Sequence, residues 1–319
     1  MRPVKSLKFI YLFLIILFLG VVQCRGQEPL SGKDRDECLK NFSEEIKPYV
    51  KNFLERVKED LKGRIPENYI CNIFSRSEIT FKPEVMIRSL TWREAKLPYH
   101  QFLEENRIIR AKRFMEENRD LLLQLEEKFG VNKEVLVAIF LVETDLGRKT
   151  GEHTVFNTFF SLALTGEEPL FKGYVENNKE IDFNNETVRN RWKRRSDWAY
   201  RELLYLIEIS YKNNWDPFAI KGSIFGAFGY PQFVPKSYII YGYDWDGDGK
   251  VDLFSIPDAL ASIANYLKGE GYKMEASREF KKRVIMKYNI SEPYAETILK
   301  VAELLQEIKS SQDNAKRRN

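Results

Sequence analysis

Histidine and cysteine are scarce in this chain of 319 residues, which holds two of the first and three of the second. No Cys-x-x-Cys or Cys/His spacing occurs, and His100 and His153 have no ligand partners near them in sequence, so nothing suggests zinc. Charge of one sign is lacking too. The 51 basic residues nearly balance the 47 acidic ones, the more so once an N-terminal leader carrying Arg2, Lys5 and Lys8 is set aside. That balance argues against nucleic acid as the main partner. Long apolar runs are also missing. The run from Phe9 to Val22 falls short of the roughly 20 residues of a membrane-spanning helix and meets polar sequence at once.

Behind Arg2, Lys5 and Lys8, that run makes residues 1–24 an export signal. Gly20-Val-Val-Gln-Cys24 has the form of a lipobox, with Cys24 as the lipidated first mature residue, although Gln23 departs from the small residue usual there. A plain cut after Gly26 is the rival. In an oxidising compartment Cys38 and Cys71 then remain as an even pair, either a disulfide or two thiols.

What is present is an ordinary globular composition, 43% hydrophobic and 31% charged, with 13% aromatic residues. A chain of this length can bury one large core or two. The aromatics suit either a large core or a cleft that stacks on sugar rings.

The chain is organised around Val135-Leu-Val-Ala-Ile-Phe-Leu-Val-Glu143-Thr-Asp-Leu-Gly147. Eight apolar residues meet a single carboxylate. Asn132 stands at an N-cap position, Glu134 falls in the first turn and Gly147 closes the run, which predicts a helix over about Lys133 to Leu146. The Val and Ile content would also suit a buried strand. On a helix Leu136, Ile139 and Phe140 share the side of Glu143, and apolar surroundings favour the protonated acid. That is the setting of a general acid. The plainer alternative is a Glu reaching solvent or pairing with Arg148.

Residues 25–95 are charged, with amphipathic pieces such as Phe42 to Leu61, and read as an accessory region. Phe102, Ile108, Ile109, Phe114, Leu121, Leu122, Leu125 and Phe129 recur at helical spacing as packing residues. Thr165 to Trp192 reads as a polar surface insertion. Arg194 and Arg195 are either solvated surface or a pair that steers a carboxylate-bearing substrate. Gly222-Ser-Ile-Phe-Gly-Ala-Phe-Gly-Tyr-Pro-Gln232-Phe-Val-Pro235 is tight backbone that can bring amides and Gln232 to a ligand. It is not a phosphate loop, because no Gly-Lys-Ser/Thr follows.

Asp244-Trp-Asp246-Gly-Asp248-Gly-Lys250-Val-Asp252 matches the start of an EF-hand loop, with Asp at positions 1, 3 and 5, Gly at 6 and the Lys250 carbonyl at 7. Ser255 replaces the usual Glu at position 12. Asp258 is the best substitute, and Asp252 could contribute through water. The expected ligand is structural calcium, with no organic cofactor. A helix over Asp258 to Lys268 follows, and Tyr288-Asn289-Ile-Ser291-Glu-Pro-Tyr294-Ala295 opens a last amphipathic helix through Ile298, Val301 and Leu304.

In this order, from about Arg107 to Ala302, these segments resemble the family B membrane-bound lytic murein transglycosylases. Asn106-Arg-Ile-Ile-Arg-Ala-Lys-Arg-Phe, Val142-Glu143-Thr with Gly147-Arg148, Gly222 to Pro235, the aspartate-rich loop, Ala264-Asn265-Tyr266 and Tyr288 to Ala295 carry the resemblance. It implies a mainly α (α+β lysozyme-like) fold with an EF-hand-like calcium loop inserted in the catalytic domain. It divides the chain into a signal peptide (1–24), the accessory region (25–95), the lytic transglycosylase domain (96–310) and a polar tail (311–319).

The resemblance makes Glu143 the sole catalytic acid. It places Ser223, Gln232, Arg194, Arg195, Tyr288, Asn289 and Tyr294 around the sugars, and makes Asp244, Asp246, Asp248, Lys250 and Asp258 the calcium ligands. Phe228, Pro231 and Lys236 depart from residues common in the family. The implied reaction cleaves the bond between N-acetylmuramic acid and N-acetylglucosamine without water, leaving 1,6-anhydromuramoyl ends. The implied setting is an exported, periplasmic monomer acting on peptidoglycan, held at the membrane if Cys24 is the lipidated residue. A lysozyme-type muramidase and an inactive calcium-stabilised wall-binding lipoprotein are the alternatives.

Overall fold

The structure, a computed structural model, describes residues 37–92, 98–176, 178 and 180–316, with side chains as far as residue 306. The export segment and Cys24 lie outside the described residues. Within them, no helix is long and apolar enough to cross a membrane.

Helices carry nearly everything, gathered around two hydrophobic cores. The first core takes α1 (Lys47–Leu61), α2 (Glu67–Phe74) and α3 (Glu84–Thr91), and later α7 (Val155–Leu164), α8 (Glu168–Val175) and α9 (Glu186–Asn213). The second takes a 3-10 turn at Tyr99–Leu103, then α4 (Glu105–Glu117), α5 (Arg119–Phe129) and α6 (Lys133–Thr144). It also takes α11 (Ile256–Gly269), α12 (Arg278–Tyr288) and α13 (Glu292–Lys316). The chain therefore leaves the first core, builds half of the second, returns, and crosses again.

The first core joins residues on both sides of the boundary expected near residue 95. Phe53 and Phe74 of α1 and α2 pack edge-on against Phe160 and Phe156 of α7, with centroids 5.7 and 6.0 Å apart. A disulfide between Cys38 and Cys71, Cα atoms 5.0 Å apart, fastens the segment before α1 to α2. Arg191 on α9 donates to the carbonyls of Leu90 and Ser89, tying down the end of α3. Residues 37–91 are thus built into a shared core rather than appended to it.

The segment expected to be a polar surface insertion also has an apolar interior. Leu170, Phe171, Val175, Ile181 and Trp192 are buried, and the Trp192 indole donates to the Thr165 carbonyl at 2.8 Å. Too few apolar residues recur there for a period to show, yet three aromatics meet once the chain turns. Ile109, expected to pack, is 56% exposed on α4. The last helix runs to Lys316, past the start of the polar tail.

The α6 run settles as a helix. Leu136 to Leu141 are fully buried, and a helix satisfies its own main-chain hydrogen bonds while enclosed on every side. A strand there would need partner strands. Among the described residues the only sheet pairs His153–Thr154 with Lys221–Gly222, antiparallel.

Candidate active site

Glu143 lies in the final turn of α6, which ends at Thr144 rather than Leu146. Asp145, Leu146 and Gly147 follow in the left-handed region (φ 52°, 61° and 83°). The Asp145 amide closes on the Leu141 carbonyl at 2.9 Å and the Leu146 amide on Phe140 at 3.2 Å, so the chain turns sharply just past the acid. Asn132 stands at the other end but its side chain does not cap the helix. Its amide oxygen instead accepts from the Tyr272 hydroxyl and the Lys281 ammonium.

Glu143 is half-buried, and its Oε1 accepts a hydrogen bond from the Tyr294 hydroxyl at 2.6 Å. Tyr294 is 1% exposed. Burial first, and then the Glu143 charge, push its phenol well above the usual range, so Tyr294 stays a neutral donor. The same causes act on Tyr288, whose hydroxyl donates to the Pro231 carbonyl at 2.6 Å. Asp145, the neighbouring acid, turns elsewhere. It pairs with Arg110 at 2.6 Å and Arg107 at 3.4 Å, both on α4. That pairing fixes the left-handed turn that terminates the Glu143 helix.

The Gly222–Pro235 segment reaches this helix from the first core. Thr144 Oγ1 donates to the Tyr230 carbonyl at 3.4 Å and accepts from the Gly147 amide at 3.0 Å. The segment folds back through bridges of Phe228 to Gly222 and to Phe233. A Cβ at Gly222 would lie 2.1 Å from the Ala227 carbonyl oxygen, so no larger residue fits that fold. Ser223 holds the same turn: its Oγ accepts from the Ala227 amide at 3.1 Å. Gln232, at φ 52°, directs its Nε2 to the carbonyls of Thr150 and Gly229. It therefore braces the segment against the loop after α6. A non-glycine residue in that conformation is uncommon and marks a constrained position.

The other expected cleft residues distribute as follows. Asn289 ends α12, half-buried, with its carbonyl accepting from the Ser291 amide at 2.7 Å. Arg195 donates to Ser89 Oγ at 2.6 Å and lies against the rings of Trp198 and Phe225, 4.8 and 5.5 Å from their centroids. Arg194 is exposed on α9. The two arginines thus point differently, as consecutive helix positions must; the partner of Arg195 on the α3 side is Arg191, one turn earlier.

Two residues that sequence reasoning missed shape the same region. The Tyr230 ring packs on Phe140, centroids 5.4 Å apart, and a Cβ at Gly147 would stand 3.1 Å from it. Glu202 is 2% exposed; burial raises its carboxyl, and the Lys236 amide donating to it at 2.9 Å opposes that rise. It thereby caps the short helix α10 (Pro235–Tyr241) from another element. An acid inside the apolar stripe of Ala199, Leu203 and Leu206 was the signal for it.

In the aspartate-rich loop, ligand atoms of Asp244, Asp246 and Asp258 lie within 4.8 Å of one another. Three carboxylates and no nitrogen or sulfur donors fit a hard cation such as calcium. Asp258 is 2% exposed and accepts from the Trp245 and Asp252 amides, at 2.9 and 2.8 Å, closing the loop. Asp248 is exposed and does not belong to the convergent group. Ser255 instead caps α11 through the Asp258 amide.

Tyr294→Phe tests the arrangement around the acid. A hydrogen bond to a charged group is worth about 1.5–3 kcal/mol, so turnover should fall roughly ten-fold or more. The alkaline limb of the pH–activity profile should move up, because the ionised acid has lost a donor. An unchanged profile would remove Tyr294 from the site.

The profile of the transglycosylase SLT domain matches residues 46–281. Over 172 residues, 54% of this chain, the sequence is 29% identical to the membrane-bound lytic murein transglycosylase B of Escherichia coli (strain K12). That match spans 40% of the relative's length. The Escherichia coli lytic transglycosylase Slt35 in complex with calcium superposes with a TM-score of 0.64 at 19% identity, covering 81% of this chain and 92% of that one. SltB3 from Pseudomonas aeruginosa, in complex with NAG-anhNAM-pentapeptide, gives 0.63 at 19% identity, with 80% and 79% covered. These superpositions establish the mainly helical, lysozyme-like fold.

Proposed function

Because the chain belongs to the transglycosylase SLT domain family, we propose that it is a peptidoglycan lytic transglycosylase with Glu143 as its single acid and base. The observation that carries this is the Glu143 environment: a carboxyl at the end of a buried helix, held by the Tyr294 phenol, while the adjacent Asp145 is committed to two arginines. Most glycosidases place two carboxylates across the scissile bond. With one, the second role falls to the substrate.

Protonated Glu143 donates its proton to the oxygen bridging N-acetylmuramic acid to N-acetylglucosamine, and the bond from the muramoyl C1 to that oxygen breaks. The 2-acetamido carbonyl of the muramoyl sugar stabilises the positive charge at C1. Ionised Glu143 then takes the proton of the C6 hydroxyl, whose oxygen bonds to C1 and closes the 1,6-anhydro ring. Glu143 ends protonated and no water is consumed. Tyr294 steadies the ionised form between the steps, and Gln232, Ser223, Asn289, Tyr288 and Arg195 orient the strand. The anhydromuramoyl ligand of the related Pseudomonas structure supports this product class.

Mass spectrometry of peptidoglycan digested by residues 25–319 tests the reading. Products with 1,6-anhydromuramoyl ends are expected. Products heavier by one water would make the protein a muramidase, and no products at all would leave a wall-binding module.

Calcium at Asp244, Asp246 and Asp258, with the Lys250 carbonyl as a further ligand, would be structural, a reading supported by the calcium complex of the related Slt35. Export to the periplasm and a lipid at Cys24 complete the proposal. Chelation of calcium should lower Tm by about 5 °C or more, given about 2.7 kcal/mol of linkage at a hundred-fold excess over Kd. In Asp244→Ala the melting curve should no longer respond to calcium. Equal responses in both proteins would exclude the site.

A further inference from the structure

A groove of about 600 Å³ lies between the end of α9 and the second half of the aspartate-rich loop, a volume in the range of small-ligand sites. Neither Glu143, Gln232, Tyr288 nor Tyr294 lines it. One side carries Trp215 and Asp216, the other Asp248, Lys250, Asp252 and Phe254, and buried Phe228 and Leu253 lie at the bottom. We infer that this groove is a second glycan-binding site, taking the pyranose rings of a strand whose scissile bond is worked on at Glu143. The inference rests on the peptidoglycan reading above.

Both aromatics are held in place. The Trp215 ring meets Tyr238 edge-on at 5.4 Å, and Phe254, 40% exposed, stands against Tyr230 at 6.1 Å. Rigid rings of this kind offer flat faces to the C–H surface of a sugar at little entropic cost. The carboxylates are fixed as well. Asp216 accepts from the Phe218 amide, Asp248 from Lys250 and Asp252 from Phe254, at 3.0, 2.8 and 2.8 Å. Each carboxylate keeps further lone pairs for hydroxyl donors. An anionic ligand would face three carboxylates. An apolar peptide would bury their remaining lone pairs without donors. A cation finds little net charge, because Asp216 is paired with Arg76 at 2.6 Å and Lys250 offsets part of the rest.

The groove is joined to the active site by its floor. The Leu253 carbonyl accepts from the Tyr230 amide at 2.8 Å, and Tyr230 packs on the Glu143 helix. A strand held in the groove and at Glu143 is held twice, and the second contact forms at high effective concentration.

The test is calorimetric titration of Glu143→Gln with an N-acetylglucosamine tetramer, in calcium-containing buffer, with Trp215→Ala and Phe254→Ala added singly. Two binding events are expected in the parent, one of them at least ten-fold weaker in each added variant and insensitive to salt. Phe254→Ala guards against a fold defect in Trp215→Ala, and melting curves check both. A single event unaffected by either substitution overturns the groove while leaving the catalytic reading intact. Salt-sensitive binding of a lysine-rich peptide, lost in Trp215→Ala, would overturn it in favour of a cationic partner. No tetramer binding together with no turnover of peptidoglycan by the native chain would sink both readings.

Discussion

Glu143→Gln should cut the release of anhydromuropeptides by on the order of a thousand-fold or more, with Tm and circular dichroism unchanged. General acid–base catalysis contributes about 10²–10⁴-fold at one step, and in the proposed mechanism one carboxyl serves both steps. Glutamine has the same shape, and its carbonyl can still accept from Tyr294, whose hydroxyl lies 2.6 Å from Oε1 in the native site. Only the transferable proton is lost. Glu143→Asp should also fail, though less completely, because withdrawing the carboxyl by one methylene misplaces it by roughly 1 Å, a shift that can cost about a hundred-fold. If Glu143→Gln keeps a tenth or more of native turnover, another residue is the acid.

Cys38→Ala/Cys71→Ala should be the most destabilising change away from the site. The bridge closes a sequence separation of 33 residues, for which loop entropy alone gives about 3–4 kcal/mol. For a chain of this size that corresponds to a Tm lower by roughly 6 °C. Alanine is the right replacement, since both sulfurs are buried among apolar residues and serine would add unpaired hydroxyls. Reductant should lower the Tm of the native protein by a similar amount and leave the double variant unmoved. Turnover at 25 °C should survive, because the bridge lies in the first core while Glu143 belongs to a helix of the second. A native Tm indifferent to reductant would show that the bridge does not form in solution.

Several parts of the site are legible in the residues themselves. An unbroken apolar run ending in one acid predicts the buried helix and its carboxyl. The Asp-x-Asp-x-Asp-Gly spacing predicts convergent oxygens, of which Asp244 and Asp246 converge and Asp248 does not. Other parts were not legible. Asn132 resembles a cap yet serves Tyr272 and Lys281, because a side chain within reach of two long-range donors need not serve its own helix. Arg194 and Arg195 read as one pair, but a helix turns by about 100° per residue and sends them apart.

The sequence by itself determined the local matters: where α6 begins, that its apolar run closes on a single acid, that a tight glycine segment exists, and that an aspartate loop precedes a helix. These rest on interactions within about four residues, which periodicity and spacing record directly. Only the tertiary structure decided that Tyr294, 151 positions after Glu143, supplies its hydrogen bond. It alone decided that Asp145 belongs to Arg107 and Arg110, and that residues 37–91 share a core with α7 and α9. Each depends on which surfaces close on one another when two cores, each built from both halves of the chain, come together. That pairing is set by packing across long separations, and no local pattern encodes it.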